Sequence, residues 1–286
     1  MKTALVMEGG AMRGMFTCGV LDVFMEQGIK FDAACGVSAG AVFSCNFKSG
    51  QIGRAIRYNK KYSKDPRYCS IRSLIRTGDL YGTDFCYREI PDVLDIFDRK
   101  AFSENPMPFY VGATDVFTGE ARYHNCEKCD EEDMLWMRAS ASMPLLSRIV
   151  EVDGYSLLDG GISDPIPYGY MESLGYNKNV IILTQPESYK KAKSRAVPVI
   201  KLMMKKYPAI IYAMEHRHEV YARQLEEIKA KEKAGDVFVI RPSVPLGIGR
   251  TEKDAGSLER VYQEGRKEAV LHFDDLKKFC KSEFTS

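Results

Sequence analysis

The sequence predicts an α/β fold in which helices pack on a parallel sheet, and three observations carry that expectation. Two strand–turn–helix units follow one another at the start of the chain, each with a glycine-rich turn. Short apolar runs bounded by turn residues recur at 109–114, 180–184 and 237–240, as buried strands do. The composition, 45% hydrophobic and 28% charged over 286 residues, suits a globular chain with a large core and is too apolar for a disordered one. Consecutive βα units place strands side by side in one direction, with the helices returning across the sheet.

The elements follow in chain order. Residues 4–7 are a short apolar strand, 8–14 a turn, and 15–27 a helix through Phe16, Val20, Val23 and Phe24, with Gly28 as its stop. Residues 31–35 form a second strand, 36–40 a second tight turn, and 41–47 open a second helix. Residues 109–114 and 120–124 read as strands around Thr118 and Gly119, and 131–142 as a helix. Residues 149–152 and 155–158 flank Asp153 and Gly154, a hairpin signal. A long amphipathic helix is expected over 258–278. Lysines and arginines outnumber acids between Glu187 and Tyr207, which divides a core of residues 1–186 from a C-terminal extension of residues 187–286, packed on it as one unit.

Lys plus Arg is 41 and Asp plus Glu is 39, a net charge of +2, so nothing in the charge argues for wrapping a nucleic-acid backbone. Eight cysteines are too sparse for a disulfide scaffold and fit free thiols in a reducing compartment. Cys126 and Cys129 have C-x-x-C spacing, but no second such pair or H-x-x-x-H follows, and a structural role is expected for them. The apolar run at 4–7 stops at Glu8, too short for a signal-peptide core, and nowhere do eighteen apolar residues run together. A cytoplasmic protein is expected.

Gly36, Val37, Ser38, Ala39 and Gly40 spell G-x-S-x-G, in which a serine on a strained strand-to-helix turn projects its hydroxyl clear of the sheet. The apolar strand before it and apolar helix after it are the context this elbow requires. The other glycine-rich turn contains Gly9, Gly10, Ala11, Met12, Arg13 and Gly14. Backbone N–H groups at a helix start bind phosphate or an acyl-transfer oxyanion equally well. Met15 and Phe16 stand where a phosphate loop needs Lys and Ser or Thr, and Ala11 breaks G-x-G-x-x-G, which weakens the phosphate reading. Arg13 either ties this loop to a carbonyl or carboxylate, or is a solvated arginine. Asp159 follows a strand, and Gly160 and Gly161 behind it leave room for close approach; an ordinary Asp-Gly turn is the competing reading. None of the four histidines, His124, His216, His218 and His272, occupies a loop after a strand where a triad needs one. A Ser–Asp dyad needs none.

In this order the motifs resemble those of the bacterial patatin-like phospholipases: the glycine-rich loop with Arg13 and Gly14, G-x-S-x-G at 36–40, and D-G-[GA] at 159–161. Between them Ala139, Ser140, Ala141, Ser142, Met143 and Pro144 resemble the A-S-x-A-x-P block of that family. The resemblance implies a three-layer α/β/α sandwich with a mainly parallel sheet, related to the α/β hydrolases. It implies Ser38 as nucleophile, Asp159 as its base, and Gly9, Gly10, Ala11 and Ala39 as oxyanion donors supported by Arg13, Gly14, Gly36, Gly40, Gly160 and Gly161. The substrate expected is a lipid or acyl ester, hydrolysed through an acyl-enzyme with no metal or organic cofactor. Acyl transfer on the same dyad and silent lipid binding are the alternatives. Two departures stand out: Ala11 replaces the third glycine of the loop, so a positive φ there means strain, and residues 145–148 lack the aromatic and proline residues that commonly follow the block. Apolar Val199, Ile200, Leu202, Met203 and Met204 among the lysines of 190–206 suit peripheral docking on an anionic membrane, here the inner face, or an oily substrate entrance.

Overall fold

A computed structural model describes residues 2–281. Met1 and residues 282–286, the outer ends of the two expected segments, lie outside the described residues. β1 (Thr3–Met7), buried along its whole length, leads through a turn of 3-10 helix (Ala11–Arg13) into α1 (Gly14–Glu26), and Gly28 at φ +65° turns the chain back. β2 (Ala33–Val37) and α2 (Ala39–Lys48) repeat the unit. The strand expected over 31–35 thus runs two residues further, and the five-residue turn contracts to Ser38 alone.

α3 (Arg54–Tyr62), α4 (Ile71–Thr77), a π-helical stretch (Phe85–Leu94) containing Pro91, and α5 (Arg99–Glu104) lead to β3 (Phe109–Asp115). β4 (Ala121–Asn125), α6 (Glu131–Ser140), β5 (Val150–Val152) and β6 (Tyr155–Asp159) follow. Asp153 and Gly154 have φ of 52° and 75°, the two positive values a two-residue hairpin turn requires. Then come α7 (Tyr168–Ser173), β7 (Lys178–Ile182), α8 (Val197–Met203), α9 (Pro208–Ala234), β8 (Val237–Ile240), α10 (Ala255–Leu271) and α11 (Phe273–Lys281). The single helix expected over 258–278 is therefore two. The break at His272 lets Leu276 bury fully and brings Phe279 to 5.7 Å from the Phe238 ring.

The sheet runs β5-β6-β3-β2-β1-β7-β8, with β4 paired to β3. Its central run β3-β2-β1-β7-β8 is parallel, and β4 and β6 join β3 antiparallel. β4 occupies one edge of β3 from Tyr110 to Thr114, so β2 and β6 share the other edge, end to end. Val37 of β2 opposes Gly112, and Asp159 of β6 opposes the next residue, Ala113.

Side chains alternate across the strands and make a core on each face of the sheet, with a third, smaller cluster around Leu158, Ile162, Ile210 and Met214. Leu5, Met7, Val180 and Ile182 face the layer of α1, α2 and α10, while Ala4, Val6, Ile181 and Val239 face Tyr168 and Met171 of α7 and Tyr221 and Ile228 of α9. Helices on both faces make the three-layer α/β/α sandwich. α1 and α10 approach backbone to backbone: a Cβ on Gly19 would lie 2.0 Å from Tyr262 O, and one on Gly265 2.0 Å from Phe16 O. Only glycine fits at either crossing point.

Candidate active site

At the end of β2 the chain turns into α2 at one residue, Ser38, held at φ 54°, ψ −128°. That conformation is strained for a residue with a side chain and needs surrounding contacts to persist. Small neighbours make room for it: a Cβ on Gly36 would fall 2.6 Å from Gly40 O, and one on Gly40 2.5 Å from Met7 O. A contact absent from the sequence reading then fixes it. Ser140 Oγ accepts from Ser38 N at 2.8 Å and donates to Gly112 O at 2.6 Å, tying the elbow to β3. The A-S-x-A-x-P block carried that serine without revealing its partner.

Ser38 Oγ donates to Asp159 Oδ2 at 2.7 Å. Asp159 is buried; its Oδ1 accepts from Gly161 N at 2.8 Å, its N–H donates to Ser142 O at 2.8 Å, and its carbonyl accepts from Thr114 Oγ1 at 2.8 Å. Burial raises the carboxyl pKa, and the Arg217 charge, the Ser38 and Gly161 hydrogen bonds and the Lys191 charge oppose that rise without cancelling it.

The histidines stand elsewhere. His124 Nε2 is 2.7 Å from Asp133 Oδ1, His216 Nδ1 is 2.9 Å from Tyr212 O, His218 Nε2 is 3.7 Å from Glu219 and His272 Nε2 3.5 Å from Glu268. Cys126 and Cys129 are free, buried thiols, and Asp133 Oδ2 beside them accepts from the Lys128 and Cys129 N–H groups. His124, Cys126 and Asp133 offer ligand atoms close together, yet both oxygens of that carboxylate already have protein partners.

The glycine-rich loop lies against the elbow. A Cβ on Gly9 would stand 2.8 Å from Ser38 Cβ, and one on Gly10 2.7 Å from Thr184 Oγ1. Among the described residues, the N–H groups of Gly9, Gly10, Ala11 and Ala39 donate to no protein acceptor. Ser38 N does, so it is not available to a substrate. Ala11 adopts φ 49°, the positive value its place in the motif raised as a concern. Arg13 Nε is buried without an acceptor, and among the described residues Arg13 makes no side-chain hydrogen bond or ion pair that would tie the loop to a carbonyl or carboxylate. Gly14 begins α1 with the Phe43 ring packed where its side chain would be.

Ser38, Asp159, Ala11 and Ala39 share the wall of a cavity whose empty space, open mouth included, is about 1340 Å³. Gly9 and Gly10 back the elbow and do not line it. Its apolar walls include Phe43, Tyr58, Tyr87, Ile90, Met137 and Leu146, and Arg250 and Thr251 reach it from beyond β8. No single window of sequence shows this wall, because its residues come from separate stretches between Ala11 and Thr251.

The loop is held at its base by Glu8, which the sequence reading used only as the end of a strand. Glu8 is buried; Oε2 accepts from Thr184 N at 2.6 Å and Thr184 Oγ1 at 3.1 Å, and Oε1 accepts from Tyr221 at 2.7 Å. Lys191 lies 4.2 Å above the Tyr221 ring, and burial with the nearby Arg217 charge pushes its amine down to about 7.

A mainly parallel sheet covered by helices on both faces, with a serine at a strand-to-helix elbow, defines a three-layer α/β/α protein with its candidate site at the carboxyl ends of the parallel strands. Residues 5–171, more than half of the chain, match the model of the patatin-like phospholipases, and the chain belongs to that family. Residues 207–281 match a domain of unknown function, DUF6363. An uncharacterised protein of Escherichia coli, YjjU, is 33% identical over 65% of this chain and 52% of its own length. An uncharacterised NTE family protein of Mycobacterium tuberculosis is 28% identical over 58% of this chain and 44% of its own. Patatin-like phospholipase domain-containing protein 7 of Rattus norvegicus is 26% identical over 60% of this chain and 13% of its own. The chain thus spans about half the length of the first two relatives and a small part of the third. Among solved structures, VipD of Legionella pneumophila aligns over 95% of this chain and 67% of its own at 13% identity and a TM-score of 0.44.

Proposed function

We propose that the chain is a serine-dependent lipid acyl hydrolase working through a Ser38–Asp159 dyad. One observation carries the reading: the 2.7 Å hydrogen bond from Ser38 to a buried carboxylate lies at the wall of a mostly apolar cavity. Asp159 accepts the Ser38 proton as Ser38 Oγ attacks the acyl carbonyl. The backbone N–H groups of the 9–11 loop and Ala39 receive the negative charge that develops on the carbonyl oxygen. The acyl chain lies in the cavity, the alcohol leaves with the proton, and water attacking the ester releases the acid and restores the dyad.

Residues 187–286 are read as an extension packed on this core, and a cytoplasmic setting with peripheral contact at an anionic membrane suits the chain. Among the described residues no helix is long and apolar enough to cross a membrane. The test is intact mass after treatment with a fluorophosphonate. Wild type gains one adduct and Ser38→Ala none; equal labelling of both moves the nucleophile elsewhere. Adding an acceptor alcohol and analysing the products separates hydrolysis from acyl transfer.

A further inference from the structure

α9 belongs to the segment matched by a domain of unknown function, yet it faces the dyad. Arg217, Tyr221 and Gln224 stand four and three residues apart, the spacing that puts side chains on one face of a helix. Each grips the site from that face. Arg217 Nε donates to Gly161 O. Tyr221 donates to Glu8, at the base of the glycine-rich loop. Gln224 Nε2 donates to Asp164 Oδ1 at 2.6 Å and to Ile166 O at 3.1 Å, on the chain that continues from the Asp159 turn.

We propose that Arg217 is a positioning residue for the dyad, so that the C-terminal segment completes the active site: its guanidinium holds the 159–161 turn through the Gly161 carbonyl and sets a positive charge beside the Asp159 carboxylate. The inference rests on the dyad reading above. This hold acts one step beyond Asp159, which ends β6 and is itself held by Ser142 and Thr114. Gly161 is where hold and charge meet. A Cβ there would lie 3.0 Å from both Arg217 Nη2 and Asp159 Oδ1, so the cation and the carboxylate flank one small residue.

The charge is directed. After burial, Arg217 is the foremost influence on the Asp159 pKa, and it acts to lower it. The groups facing this pair come from every side: Glu8 at the end of β1, Arg13 in the following loop, Lys191 beyond β7 and Arg250 beyond β8. Arg13 and Arg250 are cations from about pH 5 to 9, Lys191 loses its charge near pH 7, and Arg217 alone among the cations is hydrogen-bonded to the turn that carries the base.

Ester hydrolysis is measured from pH 5 to 9 for wild type, Arg217→Gln and Arg217→Lys, and thermal unfolding for both single variants, Asp159→Asn and the double substitutions. A base that loses its neighbouring cation protonates more readily, so the acid limb of Arg217→Gln should move to higher pH. Its rate at pH 6 relative to pH 9 should be about tenfold below the wild-type ratio. Arg217→Lys keeps the charge and should restore most of that ratio. In unfolding, Arg217→Gln should cost more beside Asp159 than in the Asp159→Asn background, whereas Arg217→Lys, which keeps the charge, should cost nearly the same in both. In Arg217→Gln, a limb left in place with a uniform loss of rate, or effects on unfolding additive with Asp159→Asn, overturns the proposal. If Arg217→Gln does not fold, Arg217→Met, which also removes the charge, and its double variant with Asp159→Asn take its place. Failure of the dyad reading looks different: Ser38→Ala and Asp159→Asn would retain turnover, while the unfolding cycle would still report on the Arg217–Asp159 coupling.

Discussion

Ser38 and Asp159 are 121 residues apart in the chain and 2.7 Å apart in space, and the register of β3 is the reason. Val37 and Asp159 oppose consecutive residues, Gly112 and Ala113, along one edge of that strand. β2 reaches this point from one direction and β6 from the other, so the residue after β2 meets the last residue of β6. An aspartate at the end of a parallel strand would have required a neighbouring parallel strand to reach the same serine. Here an antiparallel hairpin delivers it head-on.

Asp159→Asn keeps the side-chain shape and removes the base. Hydrolysis should fall nearly as far as in Ser38→Ala, by several orders of magnitude, because the two residues act as a unit. In the wild type the rate should fall as pH drops and the buried carboxyl protonates. The stability effect has the opposite sense. A carboxyl whose folded pKa is raised binds more protons folded than unfolded, so its ionisation costs stability as pH rises from the unfolded pKa of about 3.9 through the folded value. Asp159→Asn should therefore unfold no lower than wild type at pH 8. A clear drop in its unfolding temperature there would show that the charge stabilises the fold.

His124 should matter for stability and not for chemistry. Burial alone would lower its pKa, but the hydrogen bond to Asp133 and the charges of Asp133, Asp153 and Glu132 outweigh burial and raise it. A raised histidine pKa contributes stability below the unfolded value of about 6.5 and loses it as pH climbs through the folded value. His124→Gln should keep most of its hydrolytic activity and lose more stability relative to wild type at pH 6 than at pH 9. Equal losses at both pH values would assign the effect to its stacking on Trp136, where the rings lie 5.1 Å apart.

Ala11 holds φ 49° where glycine has no steric penalty. The left-handed conformation costs an alanine about 1–2 kcal/mol, and the extra freedom of glycine in the unfolded chain offsets about 0.4–1 kcal/mol of that. Ala11→Gly should stabilise the protein by about 1 kcal/mol, read as a higher midpoint in denaturant at unchanged slope. A lower midpoint would mean that the methyl group contributes packing worth more than the strain it causes.

The basic segment keeps its mixed character in the structure. Val197 and Ile200 bury into the protein, while Val199, Leu202 and Met203 stay exposed, 48%, 66% and 70% respectively, beside Lys201 and Lys205. Vesicles containing anionic lipid should bind the protein more tightly than neutral ones, with the difference shrinking as salt rises. Leu202→Ser with Met203→Ser should weaken that binding. Binding indifferent to lipid charge and to salt removes the membrane reading and leaves these residues as an exposed edge of the packed α8.

What the sequence determined by itself was local. Gly36 and Gly40 around Ser38, the glycine-rich turn after β1, and Asp153 with Gly154 each fix the backbone within a few residues, because small side chains and positive φ act at the position where they occur. The apolar runs likewise marked the buried strands, though β2 and β7 lie two residues from the expected bounds, since an apolar run does not say where hydrogen-bonded pairing stops. Tertiary structure decided what lies far apart in the chain: the antiparallel arrival of β6 at the Ser38 elbow, the Ser140 bridge, the break at His272 and the face of α9 that brings Arg217 and Tyr221 to the site. No single window holds those contacts, because each depends on strand register and helix packing fixed by side chains from several distant segments at once.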